Sequence, residues 1–227
     1  KISGQKINVR YAKEGEEFVT LDNINRKLNK SHLLICDNKK PVAVAGVMGG
    51  LNSEIDTNTK NLLLESAYFN PTVIRKGAKS LDLSTEASRR FERGTDIDEV
   101  LPSINQLTAL ILELAGGTVS KDVIDIYPHK KKPVVIEFSK KSCEKLLGIS
   151  ISNKDIEKIF SSLFINYSLI DKLYKCTIPT FRNDITREVD LFEEIARVIG
   201  YDNVEMRKNF SASYASFVDD EHLLDSK

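Results

Sequence analysis

The sequence predicts an α+β fold in two domains, and three observations carry that prediction. Short apolar and polar alternations crowd positions 6 to 47, helical periodicity begins only after residue 70, and a proline-bracketed basic run, PHKKKP at 128 to 133, precedes a fresh strand pattern. Strands gathered early and helices later describe an α+β domain, and the restart after a Pro- and Lys-rich stretch marks a linker. The predicted organisation is a mixed α/β domain over 1–127, a linker over 128–133 and a small helical and hairpin domain over 134–204. Residues 205–227, with little that could form a core, read as a connection to something further.

Along the first domain, KINVRYA, EFVTLD, SHLLICD and PVAVAGV read as strands, the last two joined by a polar turn at Asn38-Lys39-Lys40. The small-residue loop GVMGG lacks both the Gly-Lys-Ser/Thr ending of a phosphate loop and the spacing of a dinucleotide loop. LLLESAYF, 62 to 69, reads as another strand. Asn70 and Pro71 offer a capping side chain and a first-turn proline for a helix running to about Ser80. Leu101, Ile104, Leu107, Ile111 and Leu114 recur at helical spacing before Gly116-Gly117, which predicts a core helix. The second domain reads strand (VVIEF), helix (SCEKLLG), helix (NKDIEKIFSSLF), hairpin (INYSLIDKLYKCTI), then a helix through EVDLFEEIARVIG ended by Gly200. Two helices beside a hairpin in so short a stretch resemble a winged-helix-like module.

Composition narrows the function classes without choosing one. With 33 basic and 33 acidic residues in 227, no charge extreme argues for or against nucleic acid, since clustering decides that. Cys36, Cys143 and Cys176 have no paired spacing, so they read as reduced structural thiols of a cytosolic protein. No apolar run is long enough to span a membrane, and the first ten residues lack a signal-peptide core. The chain begins without Met and reads like an excised piece. His32, His129 and His222 fall in no triad or metal spacing and read as ordinary surface residues.

Two carboxylate settings carry candidate chemistry. On a strand, Glu65 would share its face with Leu63, Ala67 and Phe69; a buried charge needs a partner, so either this face opens into a pocket or meets a cation, or the strand end lets Glu65 reach solvent. SLDLSTEASRRFERG reads as a salt-bridged loop and helical turn, capped by Ser84 or Thr85, with Glu86 and Glu92 facing Arg89, Arg90 and Arg93. On the last helix, Asp190, Glu193, Glu194 and Arg197 fall opposite an apolar stripe of Val189, Phe192, Ala196 and Ile199. The plain reading is a solvated face with Glu193 paired to Arg197. Like charges at Asp190 and Glu194, with Asp184 upstream, are also the hard oxygen donors that suit magnesium.

Together, GVMGGLNSEI, LLLESAYFNPTVIRKGAKSLDLSTEASRRFERG, LPSINQLTALILELAGG and PTFRNDITREVDLFEEIARVIGYDN resemble the beta subunit of bacterial phenylalanine-tRNA ligases, over residues 1 to about 204. The resemblance implies an editing domain that hydrolyses tyrosine wrongly attached to phenylalanine tRNA, followed by a small domain leading to a catalytic-like core. Glu65 matches the carboxylate that accepts the tyrosine hydroxyl, Thr85 and Ala87 match pocket-lining residues, and Gly49 matches a glycine passing close to the bound amino acid. Asp184, Asp190, Glu193 and Glu194 match magnesium ligands shared with the alpha subunit. The implied whole is a cytoplasmic enzyme, an alpha2-beta2 tetramer using ATP and magnesium to join phenylalanine to its tRNA, with the aminoacylation site on the alpha subunit. A histidine and a Thr-Asn pair that complete the family's pocket precede Lys1, and no residue here is assigned as the catalytic base. Two rivals stand beside this reading: a module that only binds tRNA or the alpha subunit, and a free-standing deacylase. Hydrolysis of tyrosyl-tRNA separates the first, and the sequence encoded after Lys227 the second.

Overall fold

The structure, a computed structural model, describes residues 1–121 and 123–204; the connection expected over 205–227, with His222, lies outside the described residues. The chain divides into two compact units, residues 1–136 with 177–186, and residues 137–176 with those from 187 on.

The first unit is built on a four-stranded antiparallel sheet of order β1-β4-β5-β6, from β1 (Asn8–Tyr11), β4 (Leu33–Cys36), β5 (Pro41–Val44) and β6 (Met48–Gly49). A separate hairpin pairs β2 (Glu17–Val19) with β3 (Asn25–Lys27), a strand absent from the sequence reading. The β4–β5 turn is fixed by Asp37, whose carboxylate accepts from the backbone N–H groups of Ser3, Lys39 and Lys40 at 2.7–2.8 Å. Helix α1 (Pro71–Ser80) starts where predicted: the Asn70 side chain accepts from Thr72 and Val73 N–H. It buries Ile74, Gly77 and Ala78 against a core of Phe18, Leu28, Leu34, Val44 and Phe69. Helix α2 (Glu86–Phe91) follows, and its Phe91 ring meets Phe69 edge-on at 5.0 Å. Gly46, at φ 65°, lies in the left-handed region, and a Cβ there would come within 3.0 Å of both Phe69 and Ile74.

Three expectations for this unit need correction. LLLESAYF is not a paired strand: it joins no ladder, and Leu62 and Leu63 are exposed while Phe69 is buried. Helix α3 (Val100–Ala115) forms as its periodicity predicts and closes at Gly116, but it buries no residue, so it is not a core helix within this chain. His32 is buried rather than superficial. Its Nδ1 lies 2.9 Å from Asn29 N and 3.1 Å from Asn29 O, and its Nε2 lies 2.7 Å from Ser80 Oγ at the end of α1.

The second unit follows its predicted order: β7 (Val134–Phe138), α4 (Lys140–Leu147), α5 (Asn153–Ser162), the hairpin β8 (Asn166–Ile170) and β9 (Leu173–Ile178), then α6 (Glu188–Ile199). The sheet order is β7-β9-β8. Asp171 and Lys172, both at positive φ, make the two-residue hairpin turn whose twist suits the flanking strands. Phe138 is the hub of this core, with Phe160, Phe192 and Tyr174 around it at ring separations of 5.2, 5.5 and 5.9 Å. The thiols behave as structural groups: all three cysteines are free and buried, and burial pushes Cys143 and Cys176 up to about 12. Among the described residues no helix is long and apolar enough to cross a membrane. Strands and helices together make the fold α+β.

Candidate functional site

The first unit brings the α1–α2 turn and the β6 segment together through one side chain. Thr85 is the N-cap of α2: its hydroxyl accepts from Ser88 N–H at 3.0 Å and donates to Val47 O at 2.7 Å, next to the two residues of β6. Ser88 returns the cap by accepting from Thr85 N–H at 2.9 Å. Thr85, not Ser84, is therefore the capping residue, and its hydroxyl proton is committed inside the fold. Gly49, expected in a loop, lies in the short strand β6, and a Cβ there would come to 3.2 Å from Leu21. Ala87 is exposed in the first turn of α2. Glu86 pairs with Arg89 and Arg90, each at 3.6 Å, in the exposed ion pairs expected of this segment.

Glu65 sits two residues before Ala67, which packs with Phe69 against the same core as Phe91. Glu65 is exposed, the solvent-reaching alternative read from the sequence, and partial desolvation by the surrounding protein pushes its carboxyl above its ordinary value. Among the described residues it has no hydrogen bond or ion pair, so the charged form gains nothing to offset that desolvation. A carboxyl in this state can accept a hydrogen bond from an incoming hydroxyl without breaking one to the protein.

The carboxylates of the second setting are arranged differently from one another. Asp184 belongs to the first unit, where Arg182 grips both its oxygens at 2.9 and 2.6 Å. Asp190 belongs to the second, accepting from Arg187 N–H at 2.8 Å to cap α6 and pairing with the Arg187 guanidinium at 3.2 Å. Glu194 is on the buried side of α6 with Leu191, Phe192, Ile195 and Ala196, and Arg197 binds it at 2.5 Å. The stripe read from the sequence was rotated. Val189 is exposed, Leu191 and Ile195 are fully buried, and Glu194, not Glu193, is the partner of Arg197. Glu193 alone of the four is exposed with no ion pair among the described residues. Oxygen donors of this kind suit magnesium, but among the described residues no three His, Cys, Asp or Glu side chains gather as a metal site.

Comparison with known proteins agrees with the two-unit division. The B3/4 domain family matches residues 1–116, and the tRNA synthetase B5 domain family matches residues 136–201. The phenylalanine–tRNA ligase beta subunit of Geobacter metallireducens is 46% identical over 204 residues, covering 89% of this chain and 26% of that protein. That of Geobacter sulfurreducens is 46% identical over 205 residues (90% and 26%), and that of Carboxydothermus hydrogenoformans 42% over 203 residues (89% and 25%). The chain thus spans about a quarter of the length of these relatives. A solved N-terminal fragment of the Pyrococcus horikoshii phenylalanyl-tRNA synthetase beta subunit matches at TM-score 0.42 and 16% identity, over 87% of this chain and 57% of that one, too loosely to carry an argument. With one family matched over the first unit, another over the second, and relatives aligned across both, the chain belongs to the family of phenylalanine–tRNA ligase beta subunits.

Proposed function

We propose that the first unit is the proofreading domain of a phenylalanine–tRNA ligase and that Glu65, Gly49, Thr85 and Ala87 line one pocket for mischarged tyrosine. The observation that carries this reading is Glu65: an exposed residue whose carboxyl is partly desolvated and has no partner among the described residues, close in sequence to a core shared with the helix that Thr85 caps. Tyrosine brings a hydroxyl that satisfies this carboxyl, whereas phenylalanine would cover it and leave it unpaired, so selection follows from the cost of a polar group that the bound amino acid shields from water without bonding. Gly49 gives the backbone a close approach to the ligand, and Thr85 and Ala87 bound the ring. Hydrolysis then needs a placed water attacking the ester carbonyl. Glu65 is engaged by the phenol and is not its base.

In the whole enzyme this chain works as part of a beta subunit that joins an alpha subunit, as an alpha2-beta2 tetramer in the cytoplasm, and the assembly uses ATP and magnesium to charge phenylalanine tRNA. The second unit serves it as a winged-helix-like contact module. Asp190, Glu193 and Glu194 on α6 are this chain's contribution to a magnesium site whose remaining ligands come from the partner. Magnesium held there would offset the repulsion among these carboxylates. The deciding experiment measures deacylation of tyrosyl-tRNA by the full-length enzyme and by its Ala87→Trp variant, which fills the pocket at an exposed helix position without disturbing the core. A folded variant that releases tyrosine as fast as the parent overturns the pocket.

A further inference from the structure

We infer that the exposed face of α1, carrying Arg75, Lys76 and Lys79, is a phosphate-binding rim that holds the RNA strand whose end enters the pocket proposed above. The inference rests on that reading for the identity of the ester but not for the chemistry of the surface. In a chain whose charges balance, α1 holds three basic residues and no acidic one. All three are exposed, and among the described residues none has an ion pair or a hydrogen bond. The arginines that the fold itself employs are treated otherwise: Arg10 grips Glu16, Arg26 grips Asp22, Arg182 grips Asp184 and Arg197 grips Glu194, at 2.5–2.7 Å. Lys79 also gains from the negative end of its helix, but Arg75 and Lys76 lie too far from that terminus for the same account.

Spacing places the three on one face, with Lys79 four residues from Arg75 and three from Lys76, so they form a row along a polyanion. The opposite face is locked: Ile74, Gly77 and Ala78 are buried, Asn70 caps the start, and Ser80 meets His32 at the end. Leu81, directly after the row, has its carbonyl held by Arg26 at 3.1 Å, and the chain reaches Thr85 and Ala87 within eight residues of Lys79. A charged row only a few residues upstream of Thr85 and Ala87 in the same unit suits a strand of phosphates. An anionic membrane is the weaker match, because interfacial helices set an exposed apolar face beside their cations, and here the apolar face is buried.

The test uses the full-length subunit assembled with its partner, with Arg75, Lys76 and Lys79 all replaced by Ala, and measures binding of unacylated phenylalanine tRNA between 50 and 300 mM KCl. Each lost phosphate contact lowers the slope of log K against log salt by roughly 0.7 to 0.9, so a fall of about 2 is expected, with binding at low salt weakened by at least about fivefold. An unchanged slope overturns the inference, as does tRNA binding that holds while attachment to phosphatidylserine vesicles is lost. Should the triple variant fold poorly, Lys76→Gln alone is expected to lower the slope by about 0.7 to 0.9. Glu65→Ala separates the two readings: it is expected to keep the parent slope while losing hydrolysis. If hydrolysis instead survives, the pocket fails and the slope still judges the rim.

Discussion

Glu65 and Glu194 are both carboxylates placed among apolar residues, and the fold treats them in opposite ways. Glu194 is nearly buried on α6 and is answered by Arg197 one turn later. Glu65 has no partner among the described residues, and desolvation lifts its carboxyl. A paired buried carboxylate belongs to the fold, because removing either partner strands the other. An unpaired, partly desolvated one costs the fold something and is kept for what arrives from outside. The difference assigns Glu194 to structure first, and Glu65 to recognition.

The largest effect that could break this contrast is on stability. Arg197→Ala leaves Glu194 desolvated and without its guanidinium, and is expected to destabilise the chain by about 2 kcal/mol, less than a fully buried pair because Arg197 itself is half exposed. A double change to Glu194→Leu with Arg197→Ala is expected to recover most of that loss in urea unfolding. Glu65→Ala is the counterpart. It is expected to leave the urea midpoint unchanged or slightly raised and to slow tyrosyl-tRNA hydrolysis by the full enzyme at least about tenfold, the worth of one hydrogen bond to a charged group. If Glu65→Ala unfolds the chain while Arg197→Ala does not, the assignment is reversed.

The same contrast shows what could be read from sequence. Every helix of the second unit and its hairpin were legible, because SCEKLLG, NKDIEKIFSSLF and EVDLFEEIARVIG carry their periods and C-terminal ends locally, with the N-caps Ser139, Ser152 and Arg187 just upstream. The rotation of α6 was not: Val189 and Leu191 are equally apolar, and only the tertiary position of the Phe138 core decides which is buried. α3 shows the converse, with a period that predicts a helix but cannot say what covers its leucines. LLLESAYF reads as a strand because its residues favour one, while strand pairing depends on a partner edge that no local pattern encodes. For the site, the residue types were legible only through family resemblance. The Thr85 hydroxyl's bond to Val47 O spans 38 residues and lies beyond any spacing rule.

A smaller effect sharpens the comparison within α6. Asp190 accepts from Arg187 N–H as part of a capping box, so Asp190→Asn, which keeps an acceptor but loses the ion pair, is expected to cost roughly 0.5 kcal/mol in the chain alone. Adding magnesium to that chain is expected not to move its melting temperature. Asp190→Asn combined with Glu193→Gln is expected to weaken magnesium-dependent assembly with the alpha subunit. Unaltered, magnesium-independent assembly would confine these carboxylates to the local fold.

The smallest effect is a pH dependence with a defined sign. The folded carboxyl of Glu65 lies above its ordinary value, so the folded state holds that proton more tightly than the unfolded chain does. Its contribution is neutral below the ordinary carboxyl range and becomes increasingly destabilising as pH rises from that range through the raised value. Glu65→Gln removes the titration. The melting temperatures of parent and variant are therefore expected to coincide near pH 4 and to separate as pH rises, with the variant the more stable at neutrality. Hydrolysis runs the other way, because ionisation makes Glu65 the stronger acceptor for the tyrosine hydroxyl: over the same interval the parent's preference for tyrosine is expected to rise while its stability falls, and both trends vanish in Glu65→Gln. A variant that melts with the parent at every pH would mean that water, rather than an incoming hydroxyl, already satisfies this carboxyl.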